Sequence, residues 1–358
     1  MFKIMVVANG LPSMYNRSDR QTDRQTDSDS PLLSVIIPVY NVAQYLAKCL
    51  ASLEGQPYPE EMEFIVIDDG STDGCAEMLD EAAQRDGRYR VFHQVNQGVS
   101  MARNAGLLHV RGKYIAWVDP DDWIAPDWYE KQRPYLLDDV DMVYFDMVIV
   151  RDGQEQEKHW AKETRPMPRE ELFRGLATGM LASHLWSKTI KALFWNKDDA
   201  TFGPKISYCE DYSVLHHVAI DVQRIMYLHD CLYYYLQRDG SIVNDDRRRA
   251  ANVWASIGYA RDRLDFFRAQ GIVVPDSGIL FLEMSYLWIC VRSGIPSYSE
   301  NARRAKGIRG RLRRYGYQLL LSGDYPVRTK VQAIILMLHL ERIWFSGLRR
   351  LREWLRRR

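Results

Sequence analysis

The feature that most constrains this chain is a short apolar run that ends in three carboxylates. Residues 114–118 read Tyr-Ile-Ala-Trp-Val, and Asp119, Asp121 and Asp122 follow, interrupted by Pro120. The length of the run and its aromatic and branched residues predict a buried strand. Proline marks the strand end because it cannot donate a ladder hydrogen bond. In an open α/β sheet this is the edge at which ligands bind.

Three carboxylates this close together repel one another, and a bound cation is the usual remedy. Ligand sets made only of oxygen favour Mg²⁺ or Mn²⁺ over zinc. The residues therefore favour a divalent metal at Asp119 and Asp121. The alternative is a solvated acidic turn that caps the next helix, because Asp-rich turns are common.

A second apolar run, residues 63–67, also ends in acids, Asp68 and Asp69. Helical spacing and breaks around it give strand, helix, strand, helix, a rhythm that predicts a parallel, doubly wound α/β sheet. Two strand ends would then present acids at the same sheet edge. The predicted elements are a strand in residues 33–41 that runs into a loop, with Pro38 ending the ladder, further strands at 63–67, 89–93 and 114–118, and helices at 43–53 and 75–84.

Neither of the two common glycine-rich phosphate loops occurs in this sequence. A nucleotide could still bind, because an Asp can accept a hydrogen bond from a pyrimidine N–H and Arg103 could pair with a phosphate. A metal at Asp119 and Asp121 could bridge a diphosphate as Lewis acid and template.

Charge is unevenly distributed along the chain. The net charge is +1, but residues 301–358 carry sixteen Lys and Arg against three acids. This asymmetry suggests a basic tail with an anionic partner. The five cysteines are scattered without a CxxC pair, which is typical of reduced, structural cysteines in a cytoplasmic protein.

The chain divides into three predicted regions. Residues 11–30 are polar and contain a short tandem repeat, and a disordered leader is predicted over residues 1–30. The first ten residues are too short and poorly flanked for a secretory signal, and no run has the roughly eighteen apolar residues that span a bilayer. Residues 31–245 form the predicted catalytic domain, and residues 246–358 a helical C-terminal region.

Four segments in order, residues 34–41, 68–73, 96–106 and 119–122, resemble the successive signatures of family 2 glycosyltransferases. The resemblance extends from Leu32 to Asp211 and more weakly to Ser241. It implies the GT-A fold, a nucleotide-binding α/β domain that uses Mn²⁺ or Mg²⁺. It also implies inverting transfer of a sugar from a nucleotide donor, usually a UDP-sugar.

The resemblance assigns roles to residues that match the family motifs. Asp119 and Asp121 would be the metal-binding DxD pair. The other donor-site residues are Pro38 and Tyr40 at the nucleoside, Asp68 or Asp69 at the uracil and ribose, Asn96 in the following motif, Arg103 near the base or phosphates, and Asp122 facing donor or acceptor.

The second half resembles the acceptor side of the family. Residues 185–188 are similar to its Trp-x-Lys segment, and Glu210 and Asp211 to its Glu-Asp motif at a helix start. An inverting mechanism needs one carboxylate to take the proton from the attacking hydroxyl. We expect Asp211 to be this base, with Glu210 as the second candidate. The alternative is an acidic pair that only stabilises a helix N-terminus.

Residues 233–242 resemble the last shared element, in which Arg238 could clamp a phosphate. The chain lacks the Gln-x-x-Arg-Trp element of processive members, which favours transfer of a single sugar. Histidines 184, 216, 217 and 229 show no metal-binding spacing, and His216 and His217 are expected to be packing residues.

Beyond residue 246 the pattern is helical, at 251–270 and 279–292 and again at 331–355. The last of these helices has one apolar side and late arginines, typical of an interfacial helix on an anionic membrane. The alternative is a helix docked on the domain with a solvated basic end. The expected partners are a nucleotide-sugar, a glycan or lipid-linked acceptor and the inner face of the cell membrane, with no nucleic acid.

Two other classes of function compete with a sugar transferase. A noncatalytic nucleotide-sugar or glycan-binding module would bind donor without turnover, but the acids at positions 210 and 211 argue against it. A nucleotidyltransferase would also use acids and a metal. It should carry an early glycine-rich, basic loop for a triphosphate, and this sequence has none.

Overall fold

The structure of the chain is a computed structural model. It describes residues 30–181, 183–195, 201–203, 210–238, 246–292, 299–338 and 340. The predicted leader at 1–30 lies outside these residues apart from its last position.

The first part of the fold alternates strands and helices, as the sequence predicts. Its elements are β1 (Leu33–Val39), α1 (Ala43–Glu54), β2 (Met62–Asp68), α2 (Cys75–Arg85), β3 (Tyr89–His93), α3 (Val99–Leu108) and β4 (Tyr114–Trp117). The predicted strands and helices of this part are confirmed to within a few residues at each end.

The second part has longer strands and fewer crossover helices. Its elements are β5 (Trp123–Ile124), α4 (Trp128–Leu137), β6 (Met142–Arg151), β7 (Gln154–Lys158), β8 (Arg165–Met167), α5 (Arg169–Thr178), β9 (Lys188–Lys191), α6 (Glu210–Ala219) and β10 (Ile225–Leu236).

One sheet contains all these strands, in the order β3-β2-β1-β4-β9-β6-β10-β5. Strands β1 to β4 pair in parallel, which confirms the predicted parallel sheet in this half. Beyond β4 the sheet is mixed, because β9 lies antiparallel between β4 and β6. Two reversals restore the direction, so that β6 and β10 again run the same way as β4. The carboxyl ends of β1, β2, β4 and β10 therefore meet at one edge.

Helices cover both faces of the sheet. Alternate residues of β1 point to opposite faces, with Val35 and Ile37 in one buried cluster and Ile36 in the other. Gly106 of α3 lies against Ile36 so closely that an added Cβ would be 2.4 Å from Cγ2. Helix α3 is thereby held close to the sheet, and this places Arg103 below the strand ends.

Among the described residues, five helices follow the sheet: α7 (Asp246–Ala269), α8 (Ser277–Arg292), α9 (Ser299–Tyr315), α10 (Tyr317–Leu321) and α11 (Val327–Met337). They form a third hydrophobic cluster. Arg263 of α7 is buried and donates to the carbonyls of Leu176 and Tyr212, at 3.0 and 2.9 Å. The helical region is therefore attached to the sheet region by a buried polar contact as well as by apolar packing.

The last helix among the described residues begins before the predicted start at residue 331. It begins at Val327, ends at Met337 and is followed by a turn at Leu338. Residues 341–358, which hold most of the predicted basic end, lie outside the described residues, as does the predicted domain boundary at residue 245. In the described part of the chain, no helix combines the length and apolar character needed to cross a bilayer.

His93 at the end of β3 connects two carboxylates, at 2.7 Å to Asp68 and 3.2 Å to Asp80. The hydrogen bond to Asp68 raises the pKa of His93. The stabilisation is therefore complete below the pKa of about 6.5 of an unfolded histidine and is lost as pH rises through the folded value. His93→Gln should lower the free energy of unfolding by less than about 1 kcal/mol near pH 5.5, because the ring is partly exposed. The loss should shrink by pH 8.5.

Urea unfolding of the unaltered chain and of His93→Gln, at about pH 5.5 and pH 8.5, measures the free energy of unfolding that His93 contributes at each pH. Asp80→Asn is the matched control, because it removes only the more exposed partner and should have a smaller effect. The same destabilisation at both pH values would show that the charge of His93 does not contribute.

Candidate active site

The edge formed by β1, β2 and β4 carries the residues predicted to bind the nucleoside. Asp68 ends β2 and pairs in register with Val39 of β1. Asp68 accepts from the Ser71 N–H at 3.0 Å and lies 2.7 Å from His93. Two described partners leave this carboxylate with acceptor capacity for a ligand, so that its predicted role remains chemically open.

Asp69 has a different set of partners. Its carboxylate accepts from the backbone N–H groups of Gln97 and Gly98, at 2.9 and 2.8 Å, and from the Gln94 side chain at 2.7 Å. The adjacent Gly70 has φ +75°, and an added Cβ would lie 2.9 Å from the Asn96 nitrogen. Asp69 thus holds the loop that starts α3, and of the two acids Asp68 is the better candidate for the uracil.

The other nucleoside candidates lie around this loop. Pro38 is buried near the end of β1, whereas Tyr40 beyond it is half exposed, at 48%. Asn96 is exposed in the loop held by Asp69. Since β1 separates β2 from β4, Asp68 and Asp119 lie on strands about 10 Å apart. One nucleotide could therefore place its base near Asp68 and its diphosphate near Asp119.

Arg103 is the buried centre of the site. It is 3% exposed and donates to Asp119 at 3.1 Å, to Asp211 at 3.0 Å and to Glu210. Its Nε–H is buried and has no hydrogen-bond partner among the described residues. The guanidinium therefore contacts carboxylates, and a contact with base or phosphates stays a prediction.

Glu210 and Asp211 form the first turn of α6, where the helix dipole favours negative charge. Asp211 accepts from Arg103 through Oδ1 and from the Leu185 N–H through Oδ2, at 3.3 Å. Leu185 belongs to a short 3₁₀ turn before β9. The structure thus brings the two candidate bases to the carboxylate that follows β4, across more than ninety residues of sequence.

The remaining predicted residues meet where β10 ends. Arg238 donates to Asp121 through Nε at 2.9 Å. Asp122 is 1% exposed and accepts from the Tyr233 hydroxyl at 2.9 Å and from the Leu236 N–H at 2.8 Å. Through these two hydrogen bonds, the buried Asp122 holds β10 against the acidic loop, residues 119–122. A contact of Asp122 with donor or acceptor stays a prediction.

The acids differ in proton affinity. Burial raises the pKa of Asp119 to about 6 and that of Asp211 to about 7, although Arg103 opposes both shifts. Burial raises the pKa of Asp122 well above its usual range, and the charges of Asp121 and Asp119 add to this. Negative charge is thus concentrated in a poorly solvated place, which is the electrostatic condition that a cation relieves.

The residues present fit a divalent metal. Asp119 contacts Arg103 through Oδ1 and Asp121 contacts Arg238 through Oδ2, so each carboxylate keeps a second oxygen outside these described contacts. Their side chains are 28% and 24% exposed, which leaves them accessible. An oxygen-only donor set suits Mg²⁺ or Mn²⁺.

Sequence reasoning missed Tyr233. Its buried hydroxyl donates to Asp122 and accepts from the Asp119 N–H at 3.0 Å, so it supports both sides of the acidic loop. No local pattern distinguishes Tyr233 from its neighbours Tyr234 and Tyr235. The expected packing role of His216 is confirmed, because its ring is buried against Phe266.

Arg103→Gln tests the buried guanidinium. Removing it leaves three partly buried carboxylates without their common cation, so the free energy of unfolding should fall by about 3–5 kcal/mol. Chemical denaturation measures the change. Arg165→Gln is the matched control, since Arg165 forms a more exposed pair with Glu171 and should contribute under about 1 kcal/mol. Equal losses in the two variants would contradict a central role for Arg103.

Comparison with known proteins agrees with this geometry. Residues 34–193 match the family model described as Glycosyl transferase family 2. The chain is similar to EpsH of Bacillus subtilis (strain 168), with 29% identity over 60% of this chain and 63% of EpsH. It is also similar to the glycosyltransferase GlyG of Streptococcus pneumoniae serotype 4, with 27% identity over 76% of this chain and 89% of GlyG.

Among solved structures, S. aureus TarS 1-349 in complex with UDP-GlcNAc has a TM-score of 0.59 at 17% identity, covering 88% of this chain and 92% of that one. This likeness shows the fold. The matched stretch spans 63% of the length of EpsH, so the similarity does not extend over that whole relative. Residues 34–193, less than half of the chain, are thus similar to glycosyl transferase family 2, and they lie within a GT-A fold.

Proposed function

We propose that this chain is an inverting glycosyltransferase of surface-polysaccharide biosynthesis. It moves a sugar from a UDP donor to a hydroxyl of a glycan or lipid-linked acceptor. One observation carries the proposal: Arg103 contacts both the first acid of the DxD pair, Asp119, and the acidic pair at the start of α6. Donor-side and acceptor-side groups are thus held around one buried guanidinium.

The donor would lie along the strand ends, with its base near Asp68 and Tyr40 and its diphosphate near Asp119 and Asp121. A Mn²⁺ or Mg²⁺ ion held by Asp119 and Asp121 would neutralise charge on the leaving diphosphate. Arg238, which pairs with Asp121, is placed to donate to the same phosphates as a planar fork. The UDP-GlcNAc complex of the structurally similar TarS supports a UDP-sugar as donor.

Asp211 is the proposed general base. Direct displacement with inversion requires a carboxylate on the side opposite the leaving group, to accept the proton of the attacking hydroxyl. Burial raises the pKa of Asp211 to about 7, so this carboxylate retains a proton near neutral pH better than an ordinary one. Glu210, its neighbour on Arg103, is the second candidate.

The competing function is a noncatalytic module that binds a nucleotide-sugar or glycan. Such a module needs the donor pocket but has no use for buried acids with raised proton affinity. The grouping of Glu210 and Asp211 with Arg103 and Asp119 therefore favours catalysis.

Turnover of a panel of UDP-sugars, followed as UDP release with Mn²⁺ or Mg²⁺ and with EDTA, tests the function. We expect metal-dependent release from one donor. Asp211→Asn should lower kcat by about 10²–10⁴-fold, the usual contribution of a general base, with little change in UDP affinity. Asp121→Asn should reduce the stimulation of UDP release by Mn²⁺ or Mg²⁺, and it should also weaken UDP binding.

Asp265→Asn is the control, because this exposed carboxylate on α7 has none of the predicted roles in donor, metal or acceptor binding. Near-full transfer by Asp211→Asn would disprove the base assignment, and the same assay on Glu210→Gln would then identify its replacement. If the unmodified chain binds UDP in calorimetry but gives no turnover even with glycan acceptors, the binding-module function is supported. Absence of UDP binding would overturn the donor assignment.

We further propose that the C-terminal helices contact an anionic membrane surface. Four apolar side chains of α11 and the turn after it are exposed at helical spacing, Val327, Val331, Ile334 and Leu338. Helix α9 carries exposed basic residues, including Lys306, Arg313 and Arg314. Apolar and basic groups together match the headgroup boundary of a bilayer.

Flotation of the full chain with vesicles tests this surface. We expect binding to phosphatidylglycerol vesicles that weakens at high salt, and much weaker binding to phosphatidylcholine. Val327→Ser combined with Ile334→Ser should reduce binding about tenfold or more, since each apolar side chain contributes on the order of 1 kcal/mol. Val273→Ser, which removes a still more exposed valine elsewhere, should have no effect. Failure of the full chain to bind anionic vesicles would disprove the contact.

A further inference from the structure

A second cluster of metal-ligating side chains lies on the half of the sheet around β6 and β10. Asp146 is on β6, His159 follows β7, and His229 is on β10. His159 Nδ1 is 2.6 Å from Asp146 Oδ2, and His229 Nδ1 is 3.4 Å from the same oxygen. One ligand atom from each residue lies within 4.8 Å of the other two. None of the three belongs to the proposed active site.

These distances suit a transition metal. Zinc binds histidine nitrogen and carboxylate oxygen at about 2.0–2.2 Å, so two ligands of a tetrahedral ion are about 3.3 Å apart. The separation of Asp146 and His229 already has this value. The pair formed by Asp146 and His159 would need to open by about 0.7 Å as an ion replaces the hydrogen-bonded proton.

The cluster also has supporting groups of the kind that orient metal ligands. Asp146 is fully buried and accepts from the Tyr227 hydroxyl at 2.6 Å and from the Trp160 N–H at 3.2 Å. The second nitrogen of His159, Nε2, is 3.1 Å from Glu157. A carboxylate on the far nitrogen of a ligating histidine fixes its tautomer and raises its basicity.

His229 distinguishes this cluster from a simple ion pair. Its Nδ1 is buried, lies 3.4 Å from Asp146 Oδ2 and has no hydrogen bond among the described residues. Its ring lies 4.3 Å from that of His159, centroid to centroid. An ion pair of Asp146 and His159 gives a second imidazole no role, whereas a bound metal ion would use that imidazole as a third ligand. Cys231 Sγ is 3.9 Å from both nitrogens of His159, the length of a weak hydrogen bond, and it groups with Glu157 and His159 rather than with this cluster.

We propose that Asp146, His159 and His229 form a binding site for a zinc-class divalent ion, with the remaining coordination position open to water. Nitrogen donors separate it from the oxygen-only DxD site, which suits harder cations. Binding would replace the proton on His159 Nδ1 and release it to solvent. The ion would join β6, the end of the β6–β7 hairpin and β10. Because β7 is exposed along its length, the hairpin gains most from this connection.

The site is tested on the full chain, stripped with EDTA and titrated with ZnCl₂ by calorimetry. Excess Mg²⁺ is present to occupy the DxD carboxylates. We expect one zinc per chain, a rise of a few degrees in the thermal unfolding midpoint, and the visible absorption of four-coordinate Co²⁺ when cobalt is used instead. His229→Gln should weaken zinc binding at least about 100-fold, and Glu157→Gln about tenfold.

His109→Gln is the matched control, because this histidine stacks on Phe92 at the other end of the sheet and should leave zinc binding unchanged. In EDTA, His229→Gln should unfold at the same temperature as the unaltered chain, so any lost zinc response is not a folding defect. Asp121→Asn should also retain the zinc site. Equal zinc titrations of the unaltered chain and His229→Gln would overturn the proposal, as would a zinc response abolished by Asp121→Asn.

Discussion

The site depends on one buried cation. Arg103 lies on a helix packed tightly under the sheet, and its guanidinium holds carboxylates from the end of β4 and the start of α6. Burying an arginine is costly unless its charge is compensated, and burying acids together is costly unless a cation separates them. Here the arginine compensates the charge of the acids, and the acids compensate the charge of the arginine. The start of α6 is therefore held to the sheet by charge as well as by packing.

Much of the proposed donor side could be predicted from the sequence because its signals are local. An apolar run followed by acids specifies both a buried strand and the group at its end, and parallel pairing of β1, β2 and β4 follows from the alternation with helices. Asp68 and Asp119 are therefore expected at one edge before any contact is known. The tight turn at Gly70 is a local requirement in its positive φ, whereas the close approach of the Asn96 nitrogen comes from a distant part of the sequence.

The acceptor side could not be predicted in the same way. Arg103 meets Glu210 across 107 residues of sequence, and Tyr233 meets Asp122 across 111. Such contacts depend on β9 entering antiparallel between β4 and β6, and no residue pattern in this short strand specifies that placement. The cluster of Asp146, His159 and His229 was hidden for the same reason. Histidines seventy residues apart show no ligand spacing until β6 and β10 pair.

Strand β10 connects the two charged regions of the sheet. Tyr233 in its second half supports Asp119 and Asp122, and His229 four residues earlier faces Asp146. The register of β10 against β6 shifts between these positions, at Leu228, Cys231 and Tyr233. Such irregularities redirect side chains along one strand. The same strand can therefore place one polar residue towards the donor edge and another towards the β6–β7 hairpin. A change in the position of β10 would alter both sets of contacts together.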